Sequence, residues 1–110
     1  MAKVFITQQS PTHDFSQAED FGKLVPIWAP GQQAWGDTAQ LVLMARRVLA
    51  EFNPDEDFLL PIGDPALMCI AAAEASFVTE GLFKILKWDK RTGQYGGYRV
   101  VAVDTNVQAN

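Results

Sequence analysis

Phe58-Leu59-Leu60-Pro61-Ile62-Gly63-Asp64-Pro65-Ala66-Leu67 is the stretch whose reading decides the fold. A short apolar run reaches Gly63-Asp64-Pro65 and gives way to an apolar, alanine-rich segment that continues to Gly81. Asp64 is a residue type that caps helices, and Pro65 then falls at the first helical position, where a missing N–H costs nothing. Gly81 can take the left-handed conformation that ends a helix. The stretch predicts a buried strand at Phe58–Ile62 turning directly into a buried helix over Pro65–Glu80, which points to an α/β architecture.

Working outward, Lys3–Thr7 is β-branched and aromatic enough for a first strand, and Leu24–Trp28 reads as a second. Pro26 places that second strand at a sheet edge, since proline cannot donate to a ladder. Between them Ser16-Gln17-Ala18-Glu19 has the spacing of a capping box, predicting a helix of a turn or two before Gly22. Asp37 is positioned to cap a longer helix to about Phe52, whose stripe Leu41, Met44, Ala45, Val48, Leu49 and Phe52 repeats every three or four residues. Leu82–Trp88 and Tyr98–Val103 read as two strands joined by turn chemistry around Asp89–Gly93, with Gly96-Gly97 as a bulge or flexible entry. The order β-α-β-α-β-α-β-β predicts a small α/β sandwich with a mostly parallel, roughly five-stranded sheet. Its first and third strands lie side by side near the centre, and the last two form an antiparallel hairpin at one edge. A ferredoxin-like α+β arrangement is the alternative. One domain is expected over residues 1–110, with 105–110 as a flexible tail.

Composition restricts function more than it names one. The 110 residues carry 13 acidic and 9 basic side chains, a net charge of −4. General attraction to nucleic acid or to an anionic membrane surface is therefore not expected. The same charge is too modest for an acidic mimic of nucleic acid. The lone Cys69 excludes an internal disulfide and a multi-cysteine zinc site, and its place in an apolar helix predicts a core thiol. The longest near-apolar stretch, residues 65–73, is too short to span a bilayer, so a cytoplasmic protein is expected. Neither a cofactor motif nor a metal-ligand pattern is present; Asp55-Glu56-Asp57 lacks the spacing of a calcium loop and reads as a solvated turn.

Candidate chemistry comes from topology. Ligands of open α/β sheets bind beyond the carboxyl ends of the strands, which here gathers Ser10, His13, Asp14, Gly63 and Asp64. Gly63-Asp64-Pro65 has one glycine and an acidic cap, so a helix cap accounts for it better than a phosphate site. His13-Asp14 could orient a general base, but no nucleophile accompanies it, and adjacent loop residues seldom face each other. Trp28 and Trp35 flank the Pro30-Gly31 loop, where partial exposure would suit protein contacts.

Two segments carry a resemblance. Asp14-Phe15-Ser16-x-Ala18-x-x-Phe21-Gly22-x-Leu24-Val25-Pro26, followed by Phe58-Leu59-Leu60-Pro61-Ile62-Gly63-Asp64-Pro65, resembles small uncharacterised proteins of tailed phages and environmental sequence. The likeness spans residues 3 to about 103. It implies a short accessory protein made in the cytoplasm of a bacterial host and lends no site residue any role.

The Pro65–Glu80 helix is apolar nearly all round, so it is expected to be covered on more than one side. This predicts a homo-oligomer, most simply a two-fold dimer, through Ala71, Ala72 and Ala75 or the neighbouring loop with Trp35. The leading functional expectation is a non-enzymatic accessory or interaction protein that self-associates. The alternative is a small-ligand (nucleotide or metabolite) binder or enzyme, with its site at the carboxyl ends of the first and third strands.

Overall fold

The computed structural model describes residues 1–91 and 96–108. Strands β1 (Lys3–Gln8), β2 (Lys23–Trp28), β3 (Phe58–Leu60), β4 (Leu82–Asp89) and β5 (Gly97–Asp104) form one sheet in the order β2-β1-β3-β4-β5. The first four are parallel and β5 returns antiparallel to β4, so the ferredoxin-like alternative is not adopted. Pro26 does lie on an edge strand, opposite Ile6. Of the hairpin turn expected around Asp89–Gly93, residues 92 and 93 lie outside the described residues, as does Tyr95.

Alternation along the central strands builds two apolar layers. Phe5 and Leu59 face α1 (Ala39–Val48) and α2 (Pro65–Val78), packing on Ala45, Leu49, Leu67, Ala71 and Ala75. Val4, Ile6 and Leu60 face the opposite way, onto Ala18, Phe15 and Phe21 of the connection between β1 and β2. The third strand is thus buried on both sides, as its unbroken apolar run requires. On the second side the cover is a connecting segment holding only a 3₁₀ turn at Ala18–Asp20. The expected capping box does not form there, because Asp14 accepts the Ser16 N–H at 2.9 Å and turns the chain first.

Caps set the helix ends. Asp64 accepts the Leu67 N–H at 3.1 Å, with Pro65 in the first turn. At the other end Glu80 (φ 58°) and Gly81 (φ 88°) are both left-handed, so the glycine takes the expected conformation together with the residue before it. Gly81 closes the turn by donating its N–H to Ser76 at 2.8 Å. A side chain at Gly81 would collide with Thr105, whose N–H and hydroxyl both donate to the Gly81 carbonyl. At α1 the N-cap is Thr38, with no side-chain cap, and Asp37, expected to cap the helix, stands one place earlier and accepts the Ala39 N–H at 2.9 Å. No helix among the described residues is long and apolar enough to cross a membrane.

Three side chains lie where the sequence did not place them. Cys69 is exposed, because α2 lays Leu67, Ala71 and Ala75 on the sheet and position 69 projects about 200° away from 67. Trp28 is only 2% accessible, its indole in the core beneath the helices. Asp57 leaves its acidic turn to accept the backbone N–H groups of Lys3 and Asn53, each at 2.8 Å, which anchors the start of β1.

Candidate functional site

The carboxyl edge of the sheet is organised by the last two residues of β1. Thr7 and Gln8 are buried and polar, and each finds its partners in distant loops. The Thr7 hydroxyl accepts the Ile62 N–H at 2.7 Å and donates to the Ile62 carbonyl. Gln8 donates to the carbonyls of Ala29 (3.1 Å) and Gln32 (2.7 Å) and accepts the Asp64 N–H at 2.7 Å. Gly63 has φ 99°, and a Cβ there would stand 2.2 Å from the Gln8 Oε1, so only glycine fits. The crevice between β1 and β3 is filled by a glutamine whose amide is spent on holding the loops together.

The topological candidates separate over this edge. Ser10, Gly63 and Asp64 rim a shallow cleft of about 450 Å³. There the Asp64 carboxylate caps α2 and its backbone N–H is bound to Gln8. Asp14 accepts the Ser16 N–H rather than a hydrogen bond from His13, and that bond holds its carboxyl below the usual range. No His–Asp dyad forms. His13 instead reaches across the sheet, its Nε2 3.1 Å from the Tyr98 hydroxyl and its ring against Phe15.

That contact closes one end of a second, more apolar cavity of about 430 Å³. It originates where β3 ends. Pro61 has no N–H to offer a ladder, and Ile62 spends its own N–H on Thr7, so β3 stops at Leu60. Only Leu59 pairs with β4, opposite Ile85, and β4 runs on to Asp89 without a parallel neighbour. The gap between the diverging chains is walled by Leu60, Pro61 and Ile62 on one side and Leu86, Lys87 and Trp88 on the other. Trp88 and Tyr98 meet edge to face with centroids 5.0 Å apart. Burial, reinforced by the negative charge of Asp14, pushes the Tyr98 phenol up, so it stays protonated as a donor.

Charge is uneven around this cavity. Lys84, Lys87, Lys90, Arg91 and Arg99, five of the nine basic residues, belong to β4, β5 and the start of their turn. Asp89 is buried among them, with Arg91 at 3.1 Å and Arg99 at 2.7 Å. The hydrogen bonds from Arg91, with the charges of Arg91 and Arg99, hold its carboxyl down at about 2. Among the described residues no three His, Cys, Asp or Glu side chains group as a metal-binding set.

The family model described as Phage Pam3 gp32-like protein matches residues 2–102. The chain belongs to that family. The match runs from before β1 into β5 and takes in Thr7, Gln8 and every residue named around the two cavities. Neither the comparison with curated proteins nor that with solved structures found a match. The family is phage-type, as the two segments around Phe21 and Gly63 imply, and it brings no activity to carry over to His13, Asp64 or Tyr98.

The expected contact residues divide as well. Ala71 and Ala75 are wholly inaccessible beneath α2 and cannot meet another chain, while Ala72 is half-buried and Trp35 is 80% exposed. The outward stripe of α2 is Ala66, Cys69, Ala73 and Phe77, all exposed. Sequence reading missed that stripe, since an all-apolar helix carries no polar face to orient it. It also missed Gln8, for which the one available signal was a polar residue closing an apolar strand, and the part played by Tyr98, which stands at the start of β5.

Proposed function

We propose that this protein is a non-enzymatic phage accessory protein that acts through protein contacts in the cytoplasm of the bacterial host, first of all with a second copy of itself. The observation that carries the reading is the outer face of α2, where Phe77 is 69% exposed at the end of the stripe Ala66-Cys69-Ala73. Small residues let another helix approach closely, and a ring beside them supplies the knob such packing needs. The nearest charges are already satisfied within the chain: Arg46 bonds Glu74 at 2.9 Å and lies over the Phe77 ring, 5.3 Å from its centre. A two-fold related copy would cover the stripe without stranding a charge. Leu43 and Met44 of α1 are also nearly half exposed, extending the apolar surface of the helix layer.

The alternative reading, a nucleotide or metabolite site over the ends of β1 and β3, has less support. Gln8, the Gly63 turn and the Asp64 cap occupy that crevice with their own hydrogen bonds.

Sedimentation equilibrium at micromolar concentrations tests the proposal. The expected mass is twice the 12.1 kDa of the chain, falling to one chain for Phe77→Asp and for Ala73→Glu with unchanged circular dichroism. A wild-type monomer throughout that range would refute self-association. A dimer that survives both substitutions would move the contact away from α2.

A further inference from the structure

We propose that the cavity between Pro61-Ile62 and β4 binds a small planar aromatic carboxylate, with its ring inside and its carboxylate at the Lys87 mouth. Three observations converge on that class. The walls are aliphatic and aromatic, Leu60, Ile62 and Leu86 against Trp88, and the volume of about 430 Å³ lies within the range of small-molecule sites. The slot exists because two neighbouring parallel strands diverge, so its narrow dimension separates sheet neighbours and favours a flat occupant over a bulky one.

Charge then selects an anion. Lys87 lines the cavity and, among the described residues, makes no ion pair. Asp89, the carboxylate two residues beyond it, is neutralised by Arg91 and Arg99. Asp14 is the carboxylate whose charge reaches Tyr98, so an anionic group is favoured at the Lys87 end and a neutral hydrogen-bonding substituent at the His13–Tyr98 end. The hydroxyl and imidazole already face each other at 3.1 Å, fixed by the contacts of Tyr98 with Trp88 and of His13 with Phe15. That end of the site is held in place before any ligand arrives. The proposal does not depend on self-association, because no residue of the α2 outer stripe touches the cavity.

Titration of the ¹⁵N-labelled protein with 2-naphthoate, and in parallel with the neutral 2-naphthamide, provides the test. Amide shifts are expected to cluster at Leu60, Ile62, Leu86, Lys87, Trp88 and Tyr98, with the carboxylate binding more tightly than the amide. Because Lys87 is exposed, Lys87→Gln should weaken 2-naphthoate by only about threefold and leave 2-naphthamide unchanged. Ile62→Trp, which fills the slot, should abolish binding of both, and Phe77→Asp should leave both intact. The proposal is overturned if millimolar 2-naphthoate perturbs none of these amides, or if its shifts centre on α2. It is equally overturned if the amide binds as tightly as the carboxylate in wild type and Lys87→Gln alike. Should Ile62→Trp not fold, the Lys87→Gln comparison still decides.

Discussion

Replacing Gln8 by alanine removes a side chain that ties the end of β1 to two loops at the carboxyl edge of the sheet. Its amide accepts from the Asp64 N–H at 2.7 Å and donates to the carbonyls of Gln32 at 2.7 Å and Ala29 at 3.1 Å, all from a side chain in a residue 5% exposed. A satisfied hydrogen bond of this kind contributes about 1 kcal/mol net, and a buried group left without a partner costs up to about 3 kcal/mol. Asp64 lines a cleft that water can enter, as do Pro30 and Gln33, the chain neighbours of Ala29 and Gln32, so the lower figure applies to each group and the sum is about 3 kcal/mol. In urea, with a slope of about 1.5 kcal/mol per molar, the midpoint should fall by about 2 M without a change in slope. A fall of less than about 0.5 M would mean that water replaces the amide fully and that Gln8 does not hold the loops. Gln8→Glu sharpens the test. Its carboxylate keeps an acceptor for Asp64 but turns negative charge toward two carbonyls, raising its folded-state pKa above the ordinary value of about 4.3. A raised pKa stabilises below the unfolded value and loses that contribution as pH climbs through the folded one. The deficit of this variant against wild type should therefore widen from about pH 4 to pH 7.

Two further predictions follow from the same geometry and from the β4 end. Gly63→Ala forces a side chain into a φ of 99° and against Gln8, and should cost at least about 2 kcal/mol in urea unfolding. Because the Oε1 contact is part of that cost, the double variant with Gln8→Ala should lose less than the sum of the two, whereas strict additivity would show that they do not share the contact. Asp89, with its carboxyl held down at about 2, contributes stability that is complete above the ordinary aspartate value and is lost as pH falls through about 2. Thermal melts should show wild type losing its advantage over Asp89→Asn in that acid window, and a difference that stays constant from neutral pH to below 2 would remove the pairing with Arg91 and Arg99 as its source.

The readable part of the fold was the part carried by local chemistry. Asp64-Pro65 starts α2, Pro26 confines β2 to an edge, and the two-sided apolar character of Phe58-Leu59-Leu60 puts β3 inside the sheet, because caps, missing donors and alternation act within a few residues. From these the strand order with β1 and β3 adjacent followed. Among the candidate residues, Ser10, Gly63 and Asp64 do share one rim, whereas His13 and Asp14 part company.

What the tertiary structure decided depended on contacts between segments far apart in the chain. The azimuth of α2 is one case: with apolar residues all round, only the sheet determines that Ala71 and Ala75 go in while Cys69 and Phe77 come out. The Gln8 junction is another, since its partners lie 21, 24 and 56 residues away and no local pattern marks them. The aromatic cavity is the third. It opens because the Thr7 hydroxyl takes the backbone of Ile62 away from β4, and it closes because Tyr98, on the last strand, meets His13 85 residues before it. A strand's length and a cavity's walls are settled by which of several competing hydrogen-bond partners is nearest once the chain has packed, a distance that does not exist in the unfolded sequence.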